Sequence, residues 1–199
     1  MATKSHKTLT GNQLHEPKGA DAASANTLYV ADGAGSGAWS KLTASNLTTT
    51  GNPFGGQLLH VRNEQTSGTA DATLSTGWNV RGLNTVKTNE ITGASLASNQ
   101  VTLPAGTYRA WGVAVAAGSA SARTKIYNRT NSVDVIYGVN TSGGLSSDYV
   151  QAQVTGTFIL SGTVALELWT YVSASTTVGA MSVSSLPEVY SELLIWKIA

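Results

Sequence analysis

The chain has 199 residues, of which 12% are charged, about half the usual share near 25%, and its formal net charge is +1. That balance offers nothing to recruit nucleic acid or an anionic membrane, and the absence of cysteine excludes disulfides and thiolate metal sites. The length suits one sizeable domain with an appendage, and no apolar run approaches the ~20 residues of a membrane helix.

The opening "MATKSHKTLTGNQ" lacks an apolar stretch, so no secretory signal is expected there. Residues 1–50 are rich in Ala, Thr, Gly and Asn, and "HEPKGADAASANTLYVADGAGSGAW" (15–39) holds a single short apolar core. This segment has too little apolar surface to fold alone against chain entropy. It does carry spaced anchors, namely Leu14, Leu28, Tyr29, Val30, Trp39, Leu42 and Leu47. Small residues between anchors let a backbone lie flat on another surface, so 1–50 is expected to be an attachment arm, or else a disordered leader or linker, and 51–199 a separate domain. "GAGSG" (33–37) is followed by "AWSKL", with no Lys-Ser/Thr pair and no helix context, so it is not a phosphate loop. Nor does Ser36, with Gly on both sides, sit in the register of a nucleophile elbow.

From Gly51 onward, apolar runs recur about every ten residues between Gly, Ser, Asn and Thr clusters, the signature of an all-β domain. Strands are predicted over 57–62, 78–87, 101–103, 107–116, 123–129, 133–139, 149–160, 163–172, 178–183 and 188–198. Two stacked antiparallel sheets follow from so many short strands. In "SARTKIYNRT", Arg123, Lys125, Tyr127 and Arg129 alternate onto one face, opposite Ala122, Thr124, Ile126 and Asn128. Three cations about an aromatic ring form a candidate partner-binding face, for an acidic surface, a glycan or an anionic polymer. The alternative is a solvated face with aliphatic stems lying over Tyr127.

"SVDVIYGV" alternates Val133, Val135, Tyr137 and Val139 against Asp134 and Ile136. "YVQAQVTGTFIL" puts Val150, Ala152, Val154, Phe158 and Leu160 on one face, and "TVALELWTYV" puts Val164, Leu166, Leu168 and Val172 on one face with Glu167, Trp169 and Tyr171 opposite. "LSGT" (160–163) between them reads as a hairpin turn. The last run, "EVYSELLIWKIA", is apolar on both faces: Leu194, Trp196 and Ile198 on one, Val189, Leu193 and Ile195 on the other. A sandwich strand needs one apolar face, so the second is expected to meet another subunit, or else the chain's own N-terminal arm. The candidate interface is Leu193, Leu194, Ile195 and Trp196. His6, His15 and His60 are isolated and the eleven carboxylates are dispersed, so no metal, cofactor or catalytic group is expected.

"VTLPAGTYRAWGVAVA" (101–116), "LSGTVALELWTYVSASTTVG" (160–179) and "YSELLIWKI" (190–198) resemble the C1q/TNF-like jelly roll as it occurs in bacteriophage structural proteins. The resemblance covers roughly 55–199 and implies a homotrimer with the closing strand near the three-fold axis. The opening segment, with a short strand "TLYVADG" after "PKGA" and before a Gly-rich turn and Trp, resembles the N-terminal part of phage head-fibre and capsid-decoration proteins. Together these imply a non-enzymatic virion protein on the capsid exterior. Its arm would hold the major capsid protein through Leu14, Leu28, Tyr29, Val30 and Trp39. The alternative is a tail-fibre tip that recognises a host surface glycan or protein. About a dozen residues separate Trp39 from the first predicted strand, with no heptads for a shaft, which favours the head.

Overall fold

A computed structural model describes residues 24, 27–31, 37–41, 56–118, 121–143, 149–180 and 185–198. The chain divides into two compact units, Met1–Thr49 and Thr50–Ala199. All regular structure in the described residues is β, and every pairing is antiparallel.

In the first unit, β1 (Thr27–Ala31) and β2 (Gly37–Lys41) pair from Thr27↔Lys41 to Ala31↔Gly37. Leu14, Leu42 and Leu47 lie outside the described residues.

The second unit is a two-sheet sandwich. One sheet runs in the order β12 (Tyr149–Leu160), β9 (Gly106–Ala117), β15 (Glu188–Lys197), β3 (Gln57–Gln65), β6 (Thr85–Asn89). The other runs β11 (Val133–Ser142), β10 (Ser121–Asn128), β13 (Val164–Val172), β8 (Gln100–Leu103), β7 (Ser95–Ala97), with β5 (Gly77–Val80) also paired to β13. The short strands β4 (Thr73–Leu74) and β14 (Thr176–Thr177) form a small sheet of their own. Strict alternation makes this possible. On β12, β13 and β9 the inward positions hold Ala152, Val154, Phe158, Leu166, Leu168, Val172, Tyr108, Ala110 and Ala114, and all are buried.

The core joins Leu59 and Val61 of β3, Leu193 and Ile195 of β15, Ile126 of β10 and Leu103 of β8. Gly112 lets the sheets close up: a Cβ there would stand 3.0 Å from Leu168 and 3.2 Å from Leu193 and Val154. The edge strands β11 and β12 approach still more closely. A Cβ on Gly138 would lie 1.8 Å from the Gln153 carbonyl oxygen, and Thr124 Oγ1 donates to Ala152 O at 3.0 Å between the sheets. Tyr108 fixes the corner after "LPAG": its hydroxyl donates to Pro104 O at 2.8 Å, and its ring stacks on Phe158 at 5.5 Å.

Three expectations change. Strands β12 and β13 are not a hairpin; β12 pairs with β9 and β13 with β10, β8 and β5, so "SGT" crosses between sheets. Both strands point their apolar faces at one core, and two strands can do this from opposite sheets as readily as from one. The strand expected over 78–87 breaks at Arg81–Asn84, where Arg81 turns inward to an ion pair with Asp71. Over 178–183, residues 178–180 form no strand and 181–183 lie outside the described residues.

Candidate functional site

Each sheet has an outer face, and the two differ in chemistry. On the β3–β15–β9 face, alternation turns Leu58, His60 and Arg62 outward from β3, Glu192, Leu194 and Trp196 from β15, and Trp111, Val113 and Val115 from β9. Register aligns them across strands, with Leu58↔Trp196 and Leu194↔Trp111 side by side. All are half-buried, and Arg109 lies 6.0 Å over the Trp196 ring. One end of this apolar stripe is charged. His60 Nε2 meets Glu192 Oε1 at 2.6 Å, Arg62 Nη1 lies 3.8 Å from the same oxygen, and Arg62 and Lys87 both reach Glu64. The bond from Lys87, with help from Arg62 against partial desolvation, holds the Glu64 carboxyl below its ordinary range.

The candidate quartet 193–196 is therefore split. Leu193 and Ile195 are 0% exposed within the chain's own sandwich, so they cannot contribute contact area to a partner. Their inward positions are the ones that a two-sided apolar strand must give to its own core. Leu194 and Trp196 face outward.

On the opposite face, β10 turns Arg123, Lys125 and Tyr127 outward, while Ala122, Thr124, Ile126 and Asn128 are buried. Arg129 does not extend this row; β10 ends at Asn128, and Arg129 is exposed in the following turn, its N–H donating to Ala165 O. Lys125 is not a solvated charge. It is 6% exposed, ion-paired with Asp134 at 2.5 Å, and its Nζ lies 4.2 Å from the Trp78 ring centre, 5.1 Å from Tyr127, 5.2 Å from Trp169 and 6.0 Å from Tyr137. Desolvation raises the Asp134 pKa, but hydrogen bonds from Lys125 and Tyr137 and the Lys125 charge outweigh it, leaving the carboxyl below its ordinary range. The bond to Asp134 raises the Tyr137 phenol in turn. Glu167 accepts from Trp169 Nε1 at 2.8 Å and from Gln100 Nε2 at 2.9 Å, fixing the floor.

Beside this cluster lies an open cleft of about 410 Å³ lined by Trp78, Ser121, Ala122, Arg123, Asn140 and Tyr171. Arg123 Nε donates to Gly138 O at 2.7 Å, and its guanidinium carbon stands 4.9 Å over the Tyr137 ring. Trp78 meets Tyr171 edge-on at 5.6 Å.

Sequence reading placed Trp169 and Tyr171 on the outward face but did not join them to β10, and it missed Trp78 and Asp134. The pairings Lys125↔Trp169 and Tyr171↔Trp78 bring them together, and no local pattern announces a register between distant strands. In the first unit, Tyr29 and Trp39 are cross-strand partners whose rings meet edge-on at 5.6 Å; Val30 lies opposite Ala38, and Leu28 is 54% exposed. Among the described residues no group of three or more His, Cys, Asp or Glu side chains could hold a metal ion.

No known sequence family and no curated protein sequence matches the chain. Its fold does match solved structures. The Eiger TNF of S. frugiperda aligns with a TM-score of 0.50 at 11% identity, over 73% of this chain and 94% of that one. The globular domain of zebrafish complement 1qA (TM-score 0.46, 12% identity, 72% and 98%) and murine APRIL (0.47, 9%, 70% and 98%) are also similar. The fold is thus a C1q/TNF-like antiparallel jelly roll. Likeness at such low identity defines the architecture and leaves role to the surfaces.

Proposed function

We propose that the chain is a non-enzymatic structural protein of a bacteriophage virion, a homotrimer that decorates or stabilises the capsid exterior and is fastened to the major capsid protein by residues 1–50. The observation that carries this reading is the outer face of β3–β15–β9. Leu58, Trp111, Val113, Val115, Leu194 and Trp196 make an aligned apolar stripe on a sheet whose other face already fills the core. Burying such side chains between subunits would contribute roughly 1.5–3 kcal/mol each. The β1–β2 hairpin supports the attachment role: two strands alone are marginally stable, and Leu28 is largely exposed beside the Tyr29–Trp39 pair.

A second reading, a tail-fibre tip contacting a host surface, draws on the cleft at Trp78 and Arg123. The two are separated by location. Particles stripped of this protein should rebind the full chain on the head but not residues 51–199, and Tyr29→Ala and Trp39→Ala should each weaken rebinding, by roughly 2 kcal/mol if they are interface hot spots. Equal rebinding by the armless chain, or density on the tail, would overturn the head-decoration reading.

A further inference from the structure

We propose that the cleft beside Arg123 binds a carboxylate-bearing saccharide, such as a uronic acid or sialic acid unit of a glycan. This names the ligand class of the face on which the second reading above rests. It can be tested on the isolated chain, so it stands or fails apart from where the protein sits on a particle.

Three observations point to this chemistry. Arg123 is held at its base: Nε is committed to Gly138 O and the guanidinium lies over Tyr137. Among the described residues nothing bonds its two Nη nitrogens, and Arg123 lines the cleft. A planar fork fixed in this way suits a carboxylate taken through two parallel hydrogen bonds. The second observation is the aromatic wall. Trp78 lies between Tyr171 and Tyr137, which are 37% and 49% exposed, and such faces pack against the C–H face of a sugar ring. Lys125 and Asp134 hold Trp78 and Tyr137 in place from behind, so little ordering is left for binding to accomplish. The third is the polar remainder, Asn140 and Ser121, neutral groups able to give and accept bonds with hydroxyls.

The same inventory argues against a polyanion. Lys125 is neutralised by Asp134 and Arg129 stands in the turn beyond the strand, so among the described residues Arg123 is the one cation that lines the cleft. Nucleic acid binding needs several cations along a backbone, whereas one carboxylate on a ring needs one fork.

The test is a titration of the full chain with 3′-sialyllactose and with a galacturonate trisaccharide, using lactose and maltotriose as neutral counterparts. Binding is followed at the Trp78 indole N–H by NMR and by calorimetry. At least one acidic probe should bind saturably at millimolar concentration or below and shift Trp78, with its neutral counterpart about tenfold weaker or worse. Arg123→Gln should lose about tenfold or more toward the acidic probe, Arg123→Lys should lose less, and Trp78→Phe should weaken binding with melting unchanged. No shift at Trp78 with either acidic probe, equal binding of the neutral sugars, or an Arg123→Gln variant that binds as the parent does would each overturn the proposal.

Discussion

Arg81 is 1% exposed, in the break between β5 and β6, and its guanidinium is ion-paired with Asp71 while Nη2 reaches Tyr190 O at 3.4 Å. Asp71 also accepts from Asn63 Nδ2 at 3.0 Å, and Asn63 Oδ1 accepts from Gln65 and Asn84. One buried cation thus anchors the 66–76 loop to β3 and β15. Burial pulls the Arg81 pKa below its ordinary value and Asp71 offsets this only in part, yet the group stays a cation. Arg81→Ala would leave Asp71 without its counter-charge and should cost about 3–5 kcal/mol in chemical denaturation. Replacing both partners with apolar residues should cost much less, because no charge is stranded. The Lys125–Asp134 pair predicts a pH effect. Asp134 has its pKa lowered on folding, so its contribution is complete above the unfolded value near 3.8 and is lost as pH falls through the depressed folded value. In a carboxyl NMR titration Asp134 should hold its charge below pH 3.8. Asp134→Asn should flatten the acid limb of the stability curve and lower stability at neutral pH, where Lys125 loses its partner.

Among the elements, β11 and β12 matter most to closure. A Cβ on Gly138 would run into the Gln153 carbonyl, a backbone atom that cannot rotate away. Gly138→Ala should therefore destabilise by about 1–3 kcal/mol or more, read as a lower melting temperature, and should loosen amide protection in both strands. Alternation made β9, β12 and β13 legible in the sequence because each has an inward face that is almost wholly apolar, Thr170 on β13 being the polar exception. Pairing was not legible. The same alternation in β12 and β13 suits a hairpin or two facing sheets, and only the neighbouring strands decide. The β7–β8 hairpin was hidden for another reason: its turn, Ser98-Asn99, has φ of 50° and 64° without the Gly that marks such turns. In β11 the register shifts against β10 between Arg123/Lys125 and Ile126/Tyr127, so Val135 and Ile136, which strict alternation would send to opposite faces, both pack against the core. The cleft was half legible. Arg123 stood out in the alternation of β10, but the aromatic wall came from strands distant in sequence.

At the scale of the whole second unit, the two outer faces can be tested independently. Trp196→Asp removes the largest side chain from one end of the apolar stripe and puts a carboxylate beside Leu58 and across from Arg109. If that stripe is the subunit contact, light scattering should report a folded monomer, or aggregate, in place of a trimer, since lost apolar burial and a desolvated charge are both costly. An unchanged trimer would remove the stripe from consideration. Ile195→Asp, one residue away but inside the core, should fail to fold, which separates loss of assembly from loss of structure. The position of β15 has a further consequence for synthesis. It is a central strand, laid between β9 and β3, which precede it by about 70 residues or more. While β3 and β9 emerge from the ribosome, the slot between them stays open and Leu59, Val61, Ala110 and Ala114 lack their covering strand. The sheet cannot close until residues 188–197 have left the ribosome, so the domain should fold late and slowly, as chains dominated by distant pairings do. Pulse-labelled nascent chains stalled before residue 188 should be protease-sensitive throughout β3 and β9, and become resistant once β15 is free to insert.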